Sequence, residues 1–469
     1  MGPDFQKPIV ATPSDYRFDK LGVENDVNIK WWELFNDPTL NALVKQALAD
    51  NKDVRIAVSR IAESHAFLRF TGADSWPRLD IAGGAERGDF VGGRRSPTTD
   101  NNYFIAPVLS WEIDFWGKFA RATESARAEM MASEYSLVTV QISLISEVVN
   151  TYFLLLDFHQ RLEISRRTLN SRIEGLDIIQ KRFSRGVIPE IDLNQAQIQK
   201  ETAAASIPIY ERSIAKTENA LSILVGQLPT GIETSVDLAS QKVPPDIPAG
   251  LPSSLLNRRP DIKQAEYLLR AQNARIGIAE AMRLPAISLT GILGGASDEL
   301  HNLTSGGPAW SISADLFGPI FNFDQDKMRV EIEKERTKQV LYFYENTVLV
   351  AFGEVEDSLV EITTYKEQVS AVARKLKAAQ NAARLSQMRY DKGVTSYLEV
   401  LDSERELFAV ELELSEVWQL FLTSYIRLYK ALGGGWIDVD EQGRKDDTFY
   451  SEKKQDRTDA TVECVEYTK

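Results

Sequence analysis

The strongest constraint on this fold is an internal duplication. "RFSRGVIPEIDL" (Arg182 to Leu193) and "RYDKGVTSYLEV" (Arg389 to Val400) share an Arg, an aromatic, Gly-Val and an acidic-apolar pair, 207 residues apart in a chain of 469. Asp53 answers Asp261 and Pro77 answers Pro285 at a spacing of 208, and Gly226 answers Gly433 at 207. Gly117 in "EIDFWGK" aligns with Gly318 in "SADLFGP". Each copy is a unit of architecture, and the expected division is 37–226 and 253–433. Residues 1–36 and the proline-rich 227–252 are expected in a belt at mid-height, joined by the start of 434–469.

Each half carries a helical seam. Val148, Leu155, Leu162, Leu169, Leu176 and Phe183 recur every seven residues, as do Val355, Ile362, Val369, Leu376, Ala383 and Tyr390. Such spacing marks supercoiled helices. No proline lies between Lys118 and Ile188 or after Pro319. Each half therefore permits one unbroken helix of about 65–70 residues, roughly 100 Å at about 1.5 Å per residue. Shorter helices are expected from Ile191 to Gly226, bent at Pro208, and from Ser253 to Met282. A long cytosolic coiled coil is the competing architecture.

Short stretches of period two oppose it. Tyr103, Ile105, Pro107, Leu109, Trp111 and Ile113 alternate with Phe104, Ala106, Val108, Ser110, Glu112 and Asp114. Trp310, Ile312, Ala314 and Leu316 alternate with Ser311, Ser313 and Asp315. With partners upstream, the pattern predicts four strands, near 78–90, 103–115, 286–297 and 309–318. Their alternation and length of about ten residues suit membrane-barrel strands, with ordinary surface hairpins as the alternative. Four strands cannot close such a barrel, whose bacterial minimum is about eight, and an open edge is not tolerated in lipid. Several chains must then share one barrel: two would fill it with side chains, and three would leave a passage.

The 68 acidic against 54 basic residues, a net charge of −14, exclude a nucleic-acid footprint. One cysteine, Cys464, permits no internal disulfide, and with three histidines no metal site or cofactor is indicated. No run of about 18 apolar residues suggests a transmembrane helix. No secretory signal is read in the sequence, and the opening Met1-Gly2-Pro3-Asp4 is compatible with one having been removed. Phosphate-loop, zinc and nucleophile-elbow motifs are all missing, so no enzyme is expected. The charge-dense tail "DEQGRKDDTFYSEKKQDRTDATVECVEYTK" reads as disordered.

Several stretches together resemble one family. "GPDFQKP" (Gly2 to Pro8), "WWELFNDPTLNALVKQAL", "NRRPDIKQAE" (Asn257 to Glu266) and "RYDKGVTSYLEVLDSER" are similar, in order and spacing, to motifs of TolC-family outer-membrane efflux proteins of the OprM-like multidrug branch. The resemblance implies a homotrimer in the outer membrane of a Gram-negative bacterium. Its fold class is a twelve-stranded barrel, four strands per chain, on a periplasmic helical tunnel. It implies a gated exit channel of a tripartite system for small toxic compounds, with a periplasmic adaptor (membrane fusion protein) and an inner-membrane pump of the resistance-nodulation-division type as partners. Many such members carry a lipid on a cysteine before the Gly-Pro-Asp motif, where Met1 stands here. A protein-secretion duct and a non-conducting scaffold are the alternatives.

The twin motifs are then the two turns at the closed tip, and Arg182, Gly186, Val187, Arg389, Gly393 and Val394 are expected adaptor contacts. Gly186 and Gly393 suit positive φ at helix ends, and Asp192 and Glu399 suit the start of the next helix. The resemblance places Leu398 and Asp402 at the resting constriction, as an apolar ring and a carboxylate ring. A solvated Asp402 capped by Arg405 is the plainer role. Arg182, Arg389 and Arg405 are candidate latches between helices. Trp111, Trp116, Trp310 and Phe317 are candidate anchors to outer-membrane lipid at the interface, with ordinary packing as the alternative.

Overall fold

The duplication appears in the backbone as two nearly identical sets of elements. The computed structural model describes residues 1–18, 30–91, 94–245, 252–303, 305 and 307–434. The tail after Gly434, including Cys464, and parts of both belt segments lie outside the described residues. The first set is α2 (Lys52–Ala73), β1 (Arg78–Val91), β2 (Arg94–Ile113), α3 (Lys118–Ser184) and α4 (Glu190–Leu224). The second is α6 (Pro260–Ala281), β3 (Ala286–Ser297), β4 (Ala309–Phe317), α7 (Gln325–Asp391) and α8 (Tyr397–Ala431). Short helices α1 (Pro38–Asp50) and α5 (Pro252–Arg258) precede the two sets. α3 and α7 each hold 67 residues, and α4 and α8 each hold 35.

Every residue of both heptad seams is buried or half-buried. α3 also contains an 18-residue window apolar enough, by length and composition, to cross a bilayer, a test that a buried core helix also passes. Half of that window is buried, and Val148, Val149, Tyr152, Phe153, Leu155 and Leu156 all lie in the core. α4 runs on through Pro208.

By contact, the chain forms two compact units. One comprises Met1–Ala11, Lys52–Gln141 and Pro260–Val350, and the other comprises Thr12–Asn51, Ile142–Arg259 and the chain from Ala351. The first contains the sheet. Its four antiparallel strands run in the order β1-β2-β3-β4, so β2–β3 pairing welds the two hairpins of the duplication. The register sorts the side chains by face. Leu79, Leu109, Gly291 and Ile312 form one row across the sheet, and Ile113, Ile287 and Leu316 form part of another. On the opposite face run Arg78, Ser110, Thr290 and Ser313, then Glu112, Ser288 and Asp315. The apolar face is exposed at Leu79, Ile81, Ile312 and Leu316.

The second strand begins at Arg94, well before the expected residue 103. Its first residues have no apolar face to betray them. They pair with β1 through the backbone, Asp100 with Gly88 and Asn102 with Glu86.

One other expectation is corrected. The single helix expected from Ser253 to Met282 is two, α5 and α6, divided at Arg259. Proline at the first position of α6 disfavours helical geometry in the residue before it. The freed Arg259 is buried and donates to Glu354 at 2.6 Å and to the Ala431 carbonyl at 3.1 Å. The first residues, Met1–Ala11, belong to the first unit. Arg121, in the first turn of α3, binds the Met1 carbonyl (3.0 Å) and Asp4 (2.7 Å). Asn273 and Glu266 of α6 hold Pro3 and Lys7.

The second unit is organised by the start of "WWELFNDPTL". Trp31 stacks on Tyr429 of α8, with centroids 5.0 Å apart, and Phe35 meets Phe153 of α3 edge-on at 4.8 Å. Asp37 is wholly buried. It caps α1 by accepting from the Thr39 and Leu40 amides, and it accepts from Tyr152 (2.8 Å), Ser235 (3.0 Å) and Gln241 (2.8 Å).

Candidate functional site

The tip is built by two copies of one turn. α3 ends at Gly186, where φ is +70°, and α7 at Gly393, where φ is +69°. In each, the glycine amide donates three residues back, Gly186 to Phe183 at 2.8 Å and Gly393 to Tyr390 at 2.9 Å. The following valine amide donates five back, Val187 to Arg182 at 3.0 Å and Val394 to Arg389 at 2.9 Å. This is the Schellman arrangement, and only glycine adopts its left-handed residue without strain. Glu190, Asp192 and Glu399 lie in the first turns of the returning helices, where the exposed amides favour negative charge. Val187 and Val394 are 67% and 66% exposed, matching apolar knobs.

α3, α4 and α8 share a small core of Ile179, Ala196, Tyr397, Val400 and Leu401, against which Tyr390 of α7 packs. Tyr390 of α7 and Tyr397 of α8 lie 5.2 Å apart within it. Leu398 and Asp402 belong to the same helix as that core but face away from it: Leu398 is 51% exposed and the Asp402 side chain 54%. Four residues apart, they share one helix face.

The arginines divide their roles. Arg182 reaches from α3 to α7, with its guanidinium 4.9 Å from the Tyr390 ring and 3.7 Å from Asp391. Arg389 lies 3.5 Å from Glu399 across its own turn. Arg405 pairs with Asp402 three residues earlier in α8, the plainer of the two expected roles. That spacing places the two side chains together on one helix surface.

The aromatics also separate. Trp111 and Trp310 fall on the apolar face of the sheet, and Trp310 is 71% exposed. Phe317 ends β4 in the opposite phase, beside Ala286. The Trp116 indole donates to the Pro285 carbonyl at 2.8 Å, which ties the end of β2 to the start of β3.

Sequence reasoning missed Arg172 and Glu404, which face the tip interior. Burial pushes the Glu404 carboxyl above the usual carboxylate range. Burial also lowers the proton affinity of Arg172. Neither follows the duplicated motif that drew attention to the turns. Among the described residues, no group of three or more metal-ligating side chains is gathered.

The sequence pattern of the outer membrane efflux protein family matches residues 43–227 and 251–434. The solvent efflux pump outer membrane protein SrpC of Pseudomonas putida is 35% identical over 446 residues, covering 92% of this chain and 95% of that protein. The cation efflux system protein CusC of Escherichia coli is 32% identical over 446 residues, covering 93% and 95%. Among solved structures, the outer-membrane channel OprN superposes with a TM-score of 0.87 at 29% identity, covering 93% of this chain and 99% of that one. The fold of long helices joined to a four-stranded share of a barrel is thus the fold of an outer-membrane channel. With one matched segment for each half of the duplication, the chain belongs to the outer membrane efflux protein family and is an efflux channel protein of the outer membrane.

Proposed function

We propose that three copies of this chain close a twelve-stranded barrel and form a passive duct, gated at the tip by Leu398 and Asp402. The observation that carries this reading is the sheet. It has four strands, a continuous apolar face, and edge strands β1 and β4 whose outer sides pair with no strand among the described residues. Lipid does not tolerate such edges, and twelve strands leave a passage where eight would be filled. Trp111 and Trp310 then meet outer-membrane lipid from the apolar face.

Around a threefold axis, Leu398 becomes an apolar ring that can dewet, and Asp402 becomes an acidic ring that favours cations. The duct has no power stroke of its own. A periplasmic adaptor would grip the turns at Arg182, Gly186, Val187, Arg389, Gly393 and Val394, with the exposed Val187 and Val394 as its apolar footholds. An inner-membrane pump of the resistance-nodulation-division type would supply the drive. The cargo is small toxic compounds, in line with a solvent pump and a cation pump among the relatives.

Conductance in planar bilayers tests the gate, wild type beside Asp402→Ala. Small, seldom-open wild-type currents that grow in the variant are expected. Equal small currents from both would move the gate elsewhere, and soluble protein that never inserts would sink the duct.

A further inference from the structure

The tip encloses a cavity of about 160 Å³ between α3, α4, α7 and α8, lined by neither Leu398 nor Asp402. Three buried polar atoms on lining residues have no hydrogen-bond partner: Arg172 Nη2, Gln199 Oε1 and the Tyr390 hydroxyl. An unpaired buried group costs about 1–3 kcal/mol, more when charged, so three on one cavity call for an occupant.

Arg172 is the centre of this arrangement. It is 6% exposed. Its Nη1 donates to the Gln199 backbone carbonyl at 2.6 Å, and its guanidinium lies 5.2 Å from the Phe408 ring. Those two contacts fix the fork and leave Nη2 unspent. Arg182 and Asp391 answer each other at 3.7 Å. Glu404 faces Arg172 without forming an ion pair, and burial biases its carboxyl toward the neutral form. The unspent cationic donor of the cavity is therefore Arg172 Nη2, and an anion is the acceptor that matches it.

A carboxylate matches the donors. One oxygen accepts from Arg172 Nη2 and the other from the Tyr390 hydroxyl, while Gln199 can turn its amide to donate. The volume exceeds that of a single water several-fold, a water's share being about 30 Å³, so a short-chain acid has room. The wall is thin at Gly175, which lines the cavity from α3. A Cβ added there would meet nothing within 4 Å. Glycine inside a helix costs about 1 kcal/mol relative to alanine, and no packing within this chain requires it.

We propose that this cavity is a binding site for a small carboxylate anion, held by Arg172, Tyr390 and Gln199 and admitted beside Gly175. Its occupant joins three helices of the tip, α3, α4 and α7, and so braces the closed packing.

The test uses the full chain purified in detergent, titrated with sodium acetate against sodium chloride at equal ionic strength. Saturation-transfer NMR on the acetate methyl and the thermal midpoint are the two readouts. The wild type is expected to give a saturable acetate signal and a rise in midpoint beyond chloride. Arg172→Gln should lose both. Gly175→Leu, which favours helix and projects into open space, should keep its fold and weaken binding about tenfold, as read by the midpoint shift. If Arg172→Gln does not fold, the Gly175→Leu comparison decides alone. No saturable wild-type signal would mean the cavity holds water only and overturns the proposal, as would equal saturation in wild type and Gly175→Leu. Neither readout depends on conduction, so the result stands apart from the fate of the duct.

Discussion

Asp37 shows how much one side chain can organise. Its two oxygens serve a helix cap, a tyrosine on α3 and two residues beyond α4. Asp37→Ala removes the cap and leaves the Tyr152 hydroxyl and Gln241 amide without this acceptor, so a loss of about 3 kcal/mol or more is expected. Thermal unfolding in detergent reads it, and a change under about 1 kcal/mol would show that the hub is dispensable. Nothing local announces this role, because Tyr152 and Gln241 lie 115 and 204 residues away. The turn glycines were legible for the opposite reason: a left-handed helix end is a local demand, and the chain makes it twice.

Glu404 adds a pH dependence whose sign follows from burial. Its carboxyl holds the proton to higher pH in the folded state than in the unfolded chain, between the opposing influences of burial and Arg172. Stability from this group is therefore full in acid and declines as pH rises through the raised value. Glu404→Gln removes the decline. Its thermal midpoint should exceed wild type more at pH 8 than at pH 4, and the reverse order would contradict the assignment.

Among the elements, the long helices could be read from the sequence, since a seven-residue seam and the absence of proline are properties of consecutive residues. The break at Arg259 escaped notice because the flanking residues continue an apolar pattern, while Pro260 acts on geometry rather than pattern. The early start of β2 escaped because its first residues are polar on both sides and are held by pairing with β1. The faces of the sheet make a sharp prediction. Leu109 lies on the apolar face and Ser110 on the polar one. Leu109→Arg should impair insertion by about 2–4 kcal/mol if it meets lipid near mid-depth, whereas Ser110→Arg should assemble normally. Folding into lipid vesicles, scored by heat-resistant mobility on gels, separates the two. Equal yields would place neither residue against lipid.

For the whole molecule, the decisive matter is what pairs with β1 and β4. Cysteines placed together on both edges, at Leu79 or Ile81 and at Ile312 or Leu316, with Cys464→Ser as background, should oxidise between chains. Covalent trimers on non-reducing gels are the expected product. Monomers alone, from protein extracted in mild detergent, would rule out the shared barrel. The candidate gate was only partly legible. Its residues came from resemblance, and the i,i+3 pairing of Arg405 with Asp402 shows that a charge expected to reach another helix can be met on its own.

The equal lengths of α3 and α7, and of α4 and α8, carry a genealogical consequence. One heptad gained in α3 and α4 alone would push the Gly186 turn about 10 Å past its sister, at about 1.5 Å per residue. Such a change is survivable only if the other half copies it. The two halves differ in sequence while keeping the residue counts of these helices, so a length change in them is an inherited pair or it is a lost lineage.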